Sequence, residues 1–65
     1  MKKQIKLTGV GAAMEVARLM SEAGNKYGCV VDSKGVFYAE DEPPLVRVWE
    51  TLVAEYEEGK LITQS

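Results

Sequence analysis

Histidine is absent from the chain, and cysteine occurs once. The first absence removes the side chain whose ordinary pKa lies nearest neutrality and the commonest metal ligand. Ser-His and Cys-His nucleophile pairs are therefore excluded within one chain. A single thiol without imidazoles cannot complete a four-coordinate zinc site either. Cys29 has no second cysteine to bridge to, so no internal disulfide staples the fold, and a reducing, cytoplasmic setting is expected. It sits in the apolar stretch Tyr27-Gly28-Cys29-Val30-Val31, where a structural, buried thiol is expected rather than a reactive one. No apolar run approaches the roughly 20 residues of a membrane-spanning helix, no signal-like segment precedes the fold, and no membrane partner is expected.

What remains is one small domain, residues 1–65, with 46% apolar and 28% charged residues and a net charge of −2. That balance is too hydrophobic for a disordered chain. A domain this short hides only about 60% of its unfolded surface, so its stability is expected to be marginal unless copies associate.

Ile5 and Leu7 alternate with Gln4 and Lys6, which predicts a strand over 3–7, with Met1 and Lys2 frayed. Thr8-Gly9-Val10-Gly11 breaks that pattern, with Thr8 as a candidate N-cap. A helix is expected from Gly11 to Ala23. Ala12, Val16, Leu19 and Ala23 form one apolar row, Ala13, Ala17 and Met20 lie beside it, and Glu15, Arg18 and Glu22 occupy the opposite face. Gly24-Asn25 suits a helix stop. Two strands follow, Tyr27–Asp32 and Val36–Glu40, joined through Asp32-Ser33-Lys34-Gly35, which suits a type I turn with a glycine bulge. Tyr27, Cys29 and Val31 share one face of the first strand and Val36 and Tyr38 one face of the second, while Val30, Phe37 and Ala39 make the other side apolar too. Such a sheet either carries layers on both sides or keeps one for a partner.

Pro43-Pro44 then reads as the start of a second helix, with Glu40-Asp41-Glu42 complementing its positive end. Leu45, Val48, Trp49, Leu52 and Tyr56 recur at helical spacing, and Gly59 is expected to end the helix. Lys60–Thr63 adds a short strand or a hydrophobic tail. The expected fold is an α+β two-layer sandwich, β-α-β-β-α with an optional last strand: a mainly antiparallel sheet with two helices on one face.

The order β-α-β-β-α, with a glycine turn opening the first helix, is similar in topology to the first two-thirds of histidine phosphocarrier proteins. That family's phosphorylated histidine belongs at the start of this helix, where Gly9-Val10-Gly11-Ala12 stands. The resemblance therefore implies a fold and excludes the phosphotransfer chemistry.

Gly9 and Gly11, at a strand-to-helix turn, are a candidate anion-binding site, because helix N-terminal amides attract anions. Met14 stands where a dinucleotide fingerprint needs a third small residue, and no Walker lysine follows, so turn punctuation is the plainer reading. Residues 1–34 carry net +3 and residues 35–65 net −5. Glu40-Asp41-Glu42 and Glu55-Glu57-Glu58 are read as solvated acidic surface, with the first group a candidate protein contact. Lys2, Lys3 and Lys6 read as guards of an edge strand rather than as phosphate ligands. The only tryptophan of a small domain is usually a core anchor, yet Trp and Tyr are enriched at interfaces, so Trp49 and Tyr56 are also candidate contacts.

No catalytic residue, metal ligand or cofactor is expected. The reading is a non-enzymatic regulatory or accessory protein that binds another protein. The alternative is a small anionic-ligand-binding or accessory enzyme domain using the glycine turn. Nucleic-acid binding is disfavoured by charge. A homodimer is expected, because ordering each residue of so short a chain costs roughly as much as its apolar burial returns.

Overall fold

A computed structural model describes residues 3–65, so the reading of Met1 and Lys2 lies outside the described residues. Its elements are β1 (Gln4–Leu7), α1 (Val10–Ser21), β2 (Tyr27–Ser33), β3 (Val36–Glu40), β4 (Glu50–Glu57) and β5 (Lys60–Gln64). The five strands form one sheet in the order β1-β3-β2-β4-β5, every neighbouring pair antiparallel. β1 and β2 thus run parallel with β3 between them, and α1 makes the crossover on one face.

The buried row of α1 is Ala13, Ala17 and Ser21. This corrects the expected apolar row: Ala12 and Ala23 are exposed, and Leu19 is half-exposed. The smaller row turns inward because it lies over Gly28, where a Cβ would sit 1.9 Å from the Ala17 carbonyl oxygen. Only glycine on the strand and small residues on the helix allow that approach. Val30, Ala39, Ala54 and Tyr56 complete the core under the helix, with Leu7, Met14, Met20, Phe37 and Val53 packed around it. On the outer side, Arg18 pairs with Glu15 at 2.6 Å and with Glu22 at 2.9 Å, as the sequence spacing predicts. The helix starts one residue earlier than expected, with Gly9 rather than Thr8 as N-cap and no side-chain cap.

The second helix expected after Pro43 does not form, and with it goes the likeness to phosphocarrier topology. Residues 50–57 are instead the strand β4, paired with β2 through Val30–Ala54 and Gly28–Tyr56, with a bulge that leaves Val53 as the extra residue. Local preferences lean the same way as the pairing with β2. A proline disfavours helical backbone in the residue before it, which restrains both Glu42 and Pro43. Thr51 and Val53 are β-branched and favour strands. Gly59 ends a strand, not a helix. Glu58 and Gly59 take φ of 50° and 81°, the pair of positive angles that a two-residue type I′ hairpin requires, and β5 follows at once. Lys34 and Gly35, at 54° and 83°, make the same turn between β2 and β3, in place of the expected type I turn with a bulge.

The Glu58-Gly59 turn is docked onto the helix. The Gly59 N–H donates to Ser21 Oγ at 2.9 Å, and that hydroxyl donates to the Arg18 carbonyl at 2.6 Å, which satisfies the buried serine.

The missing helix changes the other side of the sheet. β3 ends at Glu40, opposite Cys29, while β4 begins at Glu50, opposite Ser33. The chain must therefore cross β2 and travel about 13 Å back along it. Residues 41–49 do this as an extended strap over the face that α1 leaves open. Cys29 and Val31 lie buried on that face, and the Cys29 thiol donates to the Glu42 carbonyl at 3.7 Å. The sheet thus has a helix on one face and its own strap on the other.

Candidate functional site

The strap is fastened at both ends. At its start, the Asp41 N–H donates to the Lys3 carbonyl at 3.2 Å, the Lys3 N–H returns a bond to Asp41 Oδ1 at 2.8 Å, and Asn25 Nδ2 reaches the Asp41 carbonyl at 3.4 Å. Glu40 is buried, and its Oε2 accepts a 2.6 Å bond from Gln4 Nε2. At its far end, the Glu50 N–H donates to the Arg47 carbonyl and the Arg47 N–H donates to Glu50 Oε1, both at 2.9 Å.

Asp41 holds the start of the strap through its side chain and Glu42 through its backbone carbonyl, while Glu40 is buried and ties β3 to β1; Asp41 and Glu42 are half-buried. Tyr56 lies in the core, 6% exposed, opposite Gly28 and beneath the helix. Trp49 is the one of the five that reaches the surface, at 48% exposure, and it is not the core anchor expected of it. Its indole has Lys34 Nζ at 5.4 Å and Arg47 Cζ at 5.5 Å from the ring centroid. Cations at that range are drawn to the negative face of an aromatic ring.

Sequence reasoning overlooked the neighbours of Trp49. Leu45 is 88% exposed and Val48 is 99% exposed. At helical spacing they read as part of a buried stripe, and the two prolines before them suit a helix start, so no local signal marked them as exposed.

The glycine turn offers less. Gly9 is extended, and neither it nor Gly11 has an atom within 4 Å of a would-be Cβ, so a side chain would fit at either position. Recesses are small as well. One of about 210 Å³ lies under the strap between Val31, Glu40, Arg47 and Glu50, and one of about 250 Å³ lies beside Met20 and Asp41. Sites for small molecules usually start near ~300 Å³. Among the described residues no group of His, Cys, Asp and Glu is arranged to hold a metal ion. No helix among them is long and apolar enough to cross a membrane.

Tyr27 and Glu55 meet diagonally across β2 and β4 on the strap side, the phenol donating to Glu55 Oε2. Burial pushes the Tyr27 phenol above its ordinary range, and the bond to Glu55 adds to the shift. The unfolded chain therefore releases this proton first. The resulting stability is fully present below pH ~10, the ordinary tyrosine value, and is lost as pH rises from there towards the folded-state value. Urea midpoints measured across an alkaline series should fall more steeply for the wild type than for Tyr27→Phe. Parallel curves would show that the phenol is not held in this way.

Comparison with protein-family models, with curated proteins and with solved structures finds no match to this chain.

Proposed function

We propose that the protein acts by binding another protein through the outer side of the 41–49 strap, as a small accessory or regulatory factor without reaction chemistry of its own. The observation that carries this reading is the exposure of Leu45, Val48 and Trp49 within five consecutive residues, at 88%, 99% and 48%. Apolar side chains scattered singly over a surface are ordinary, but a contiguous group marks a contact site. The group sits on a segment anchored at both ends, so little ordering is left to oppose binding.

The total accessible surface is 4120 Å². A folded monomer of this mass exposes about 4100 Å². The inner parts of both sheet faces are covered, by α1 on one and by the strap on the other, and a second copy of the chain remains a candidate occupant of the exposed strap residues. A cytoplasmic setting goes with this reading, supported by a lone, buried thiol.

The test is affinity capture from the native lysate with the wild type and with a Leu45→Asp/Val48→Asp variant. Both side chains are exposed, so the variant should keep its fold by circular dichroism. A protein retained in stoichiometric amount by the wild type and lost from the folded variant is the expected result. Equal capture by both, or none by either, would overturn the proposal. Sedimentation of the purified chain across a wide dilution range identifies the case in which the occupant is a second copy.

A further inference from the structure

We infer that the partner segment is acidic as well as apolar, carrying carboxylates that sit against Lys34 and Arg47 on the rim of Trp49. This rests on the reading of the strap as the contact surface. Its basis is a pair of cations gathered on one exposed ring of an acidic chain. The chain carries a net −2, and residues 35–65 alone carry −5. Two cations nevertheless lie over the exposed indole, Lys34 Nζ at 5.4 Å and Arg47 Cζ at 5.5 Å from the ring centroid.

Among the described residues the ion pairs belong to Arg18, and neither Lys34 nor Arg47 has a carboxylate partner. Glu50, the nearest acid in sequence, is turned back to accept the Arg47 backbone N–H and so does not pair with the guanidinium. Val48 and Leu45 supply the apolar contact, the indole a broad flat one, and the two cations select the sign of what lies beside them. Charges at the rim of an interface act in this way, setting specificity and the rate of encounter. Arg47 is suited to grip a carboxylate through two parallel bonds.

A nucleic acid would also stack on an indole between cations, but the observations favour a peptide. Two cations on an acidic chain neutralise little of a polyanion, and fully exposed Leu45 and Val48 call for apolar side chains, not phosphates.

Trp49 is the only tryptophan, so its fluorescence reports on this site directly. The probes are a short peptide alternating leucine with glutamate, the same peptide with glutamine for glutamate, oligothymidylate, and vesicles of anionic phospholipid. The acidic peptide should shift the emission saturably, more tightly at low than at high salt. Exposed ion pairs each contribute up to ~1 kcal/mol, a factor of about five in affinity. The Lys34→Gln/Arg47→Gln variant should therefore bind the acidic peptide about fivefold or more weakly, and the glutamine peptide as the wild type does. No binding, equal binding of the two peptides, or a response to oligothymidylate or vesicles in place of the acidic peptide would overturn the inference. If capture in the lysate depends on Leu45 and Val48 while the peptides show no preference for acid, the strap remains the contact surface and only its partner's charge is wrong.

Discussion

Gly28→Ala should destabilise the protein by about 3 kcal/mol or more, enough to leave much of it unfolded. The added methyl would stand 1.9 Å from the Ala17 carbonyl oxygen and 2.8 Å from its carbonyl carbon, both backbone atoms that no side-chain rotation can move. The helix must lift, and lifting it uncovers Val30 and Ala39, both fully buried. Overpacking of a tight core commonly costs ~1–3 kcal/mol, and backbone obstruction belongs at the top of that range or beyond. A chain of this length has a total stability of about 3–10 kcal/mol. Urea denaturation of the two proteins measures the difference. A variant as stable as the wild type would mean that α1 does not lie on this glycine.

Tyr56→Ala is expected to be nearly as damaging, at about 3–5 kcal/mol, the usual loss for a buried aromatic ring. Tyr56 stands opposite Gly28 on neighbouring strands and belongs to the buried cluster of Ala13, Ala17, Val30, Ala39 and Ala54. Tyr56→Phe keeps the ring and should cost less than about 1 kcal/mol. The pair of variants separates burial of the ring from any role of the hydroxyl. If Tyr56→Ala were as mild as an ordinary surface change, within about 0.5 kcal/mol, the residue would not be in the core. Thermal unfolding followed by circular dichroism distinguishes these outcomes.

The first forty residues were legible because each element there carries its own periodicity and its own stop signal. β1 alternates, α1 shows rows at helical spacing, and Lys34-Gly35 divides the hairpin. The inward row of α1 was misread because hydrophobicity favours Val16 and Leu19, whereas close packing favours Ala13 and Ala17 over Gly28. That choice depends on a strand ten residues away. From Pro43 onward two periods compete. Leu45, Val48, Trp49, Leu52 and Tyr56 satisfy a helix, while Leu52, Ala54 and Tyr56, spaced by twos, satisfy a strand.

Long-range pairing settles the contest, because β2 is buried on both faces and needs β4 at its side. Gly59 did not arbitrate, since a glycine ends a helix and turns a hairpin equally well. The same misreading concealed the candidate site. Treating 45–49 as a helical stripe places Trp49 inside and the acids of 40–42 outside, the reverse of the fold, in which Asp41 and Glu50 act as fastenings and the apolar side chains face outward.

The account therefore turns on residues 50–57 being a strand beside β2, for only then must 41–49 cross the sheet and carry Trp49 to the surface. Nuclear Overhauser contacts along the backbone test this most directly. Cross-strand contacts between Val30 and Ala54, between Val31 and Leu52, and between Gly28 and Tyr56 are predicted, together with β4–β5 contacts between Tyr56 and Leu61. An unbroken run of sequential amide-to-amide contacts from Leu45 to Glu58, with those cross-strand contacts missing, would establish a helix there and contradict the strap, the exposed tryptophan and the function built on them.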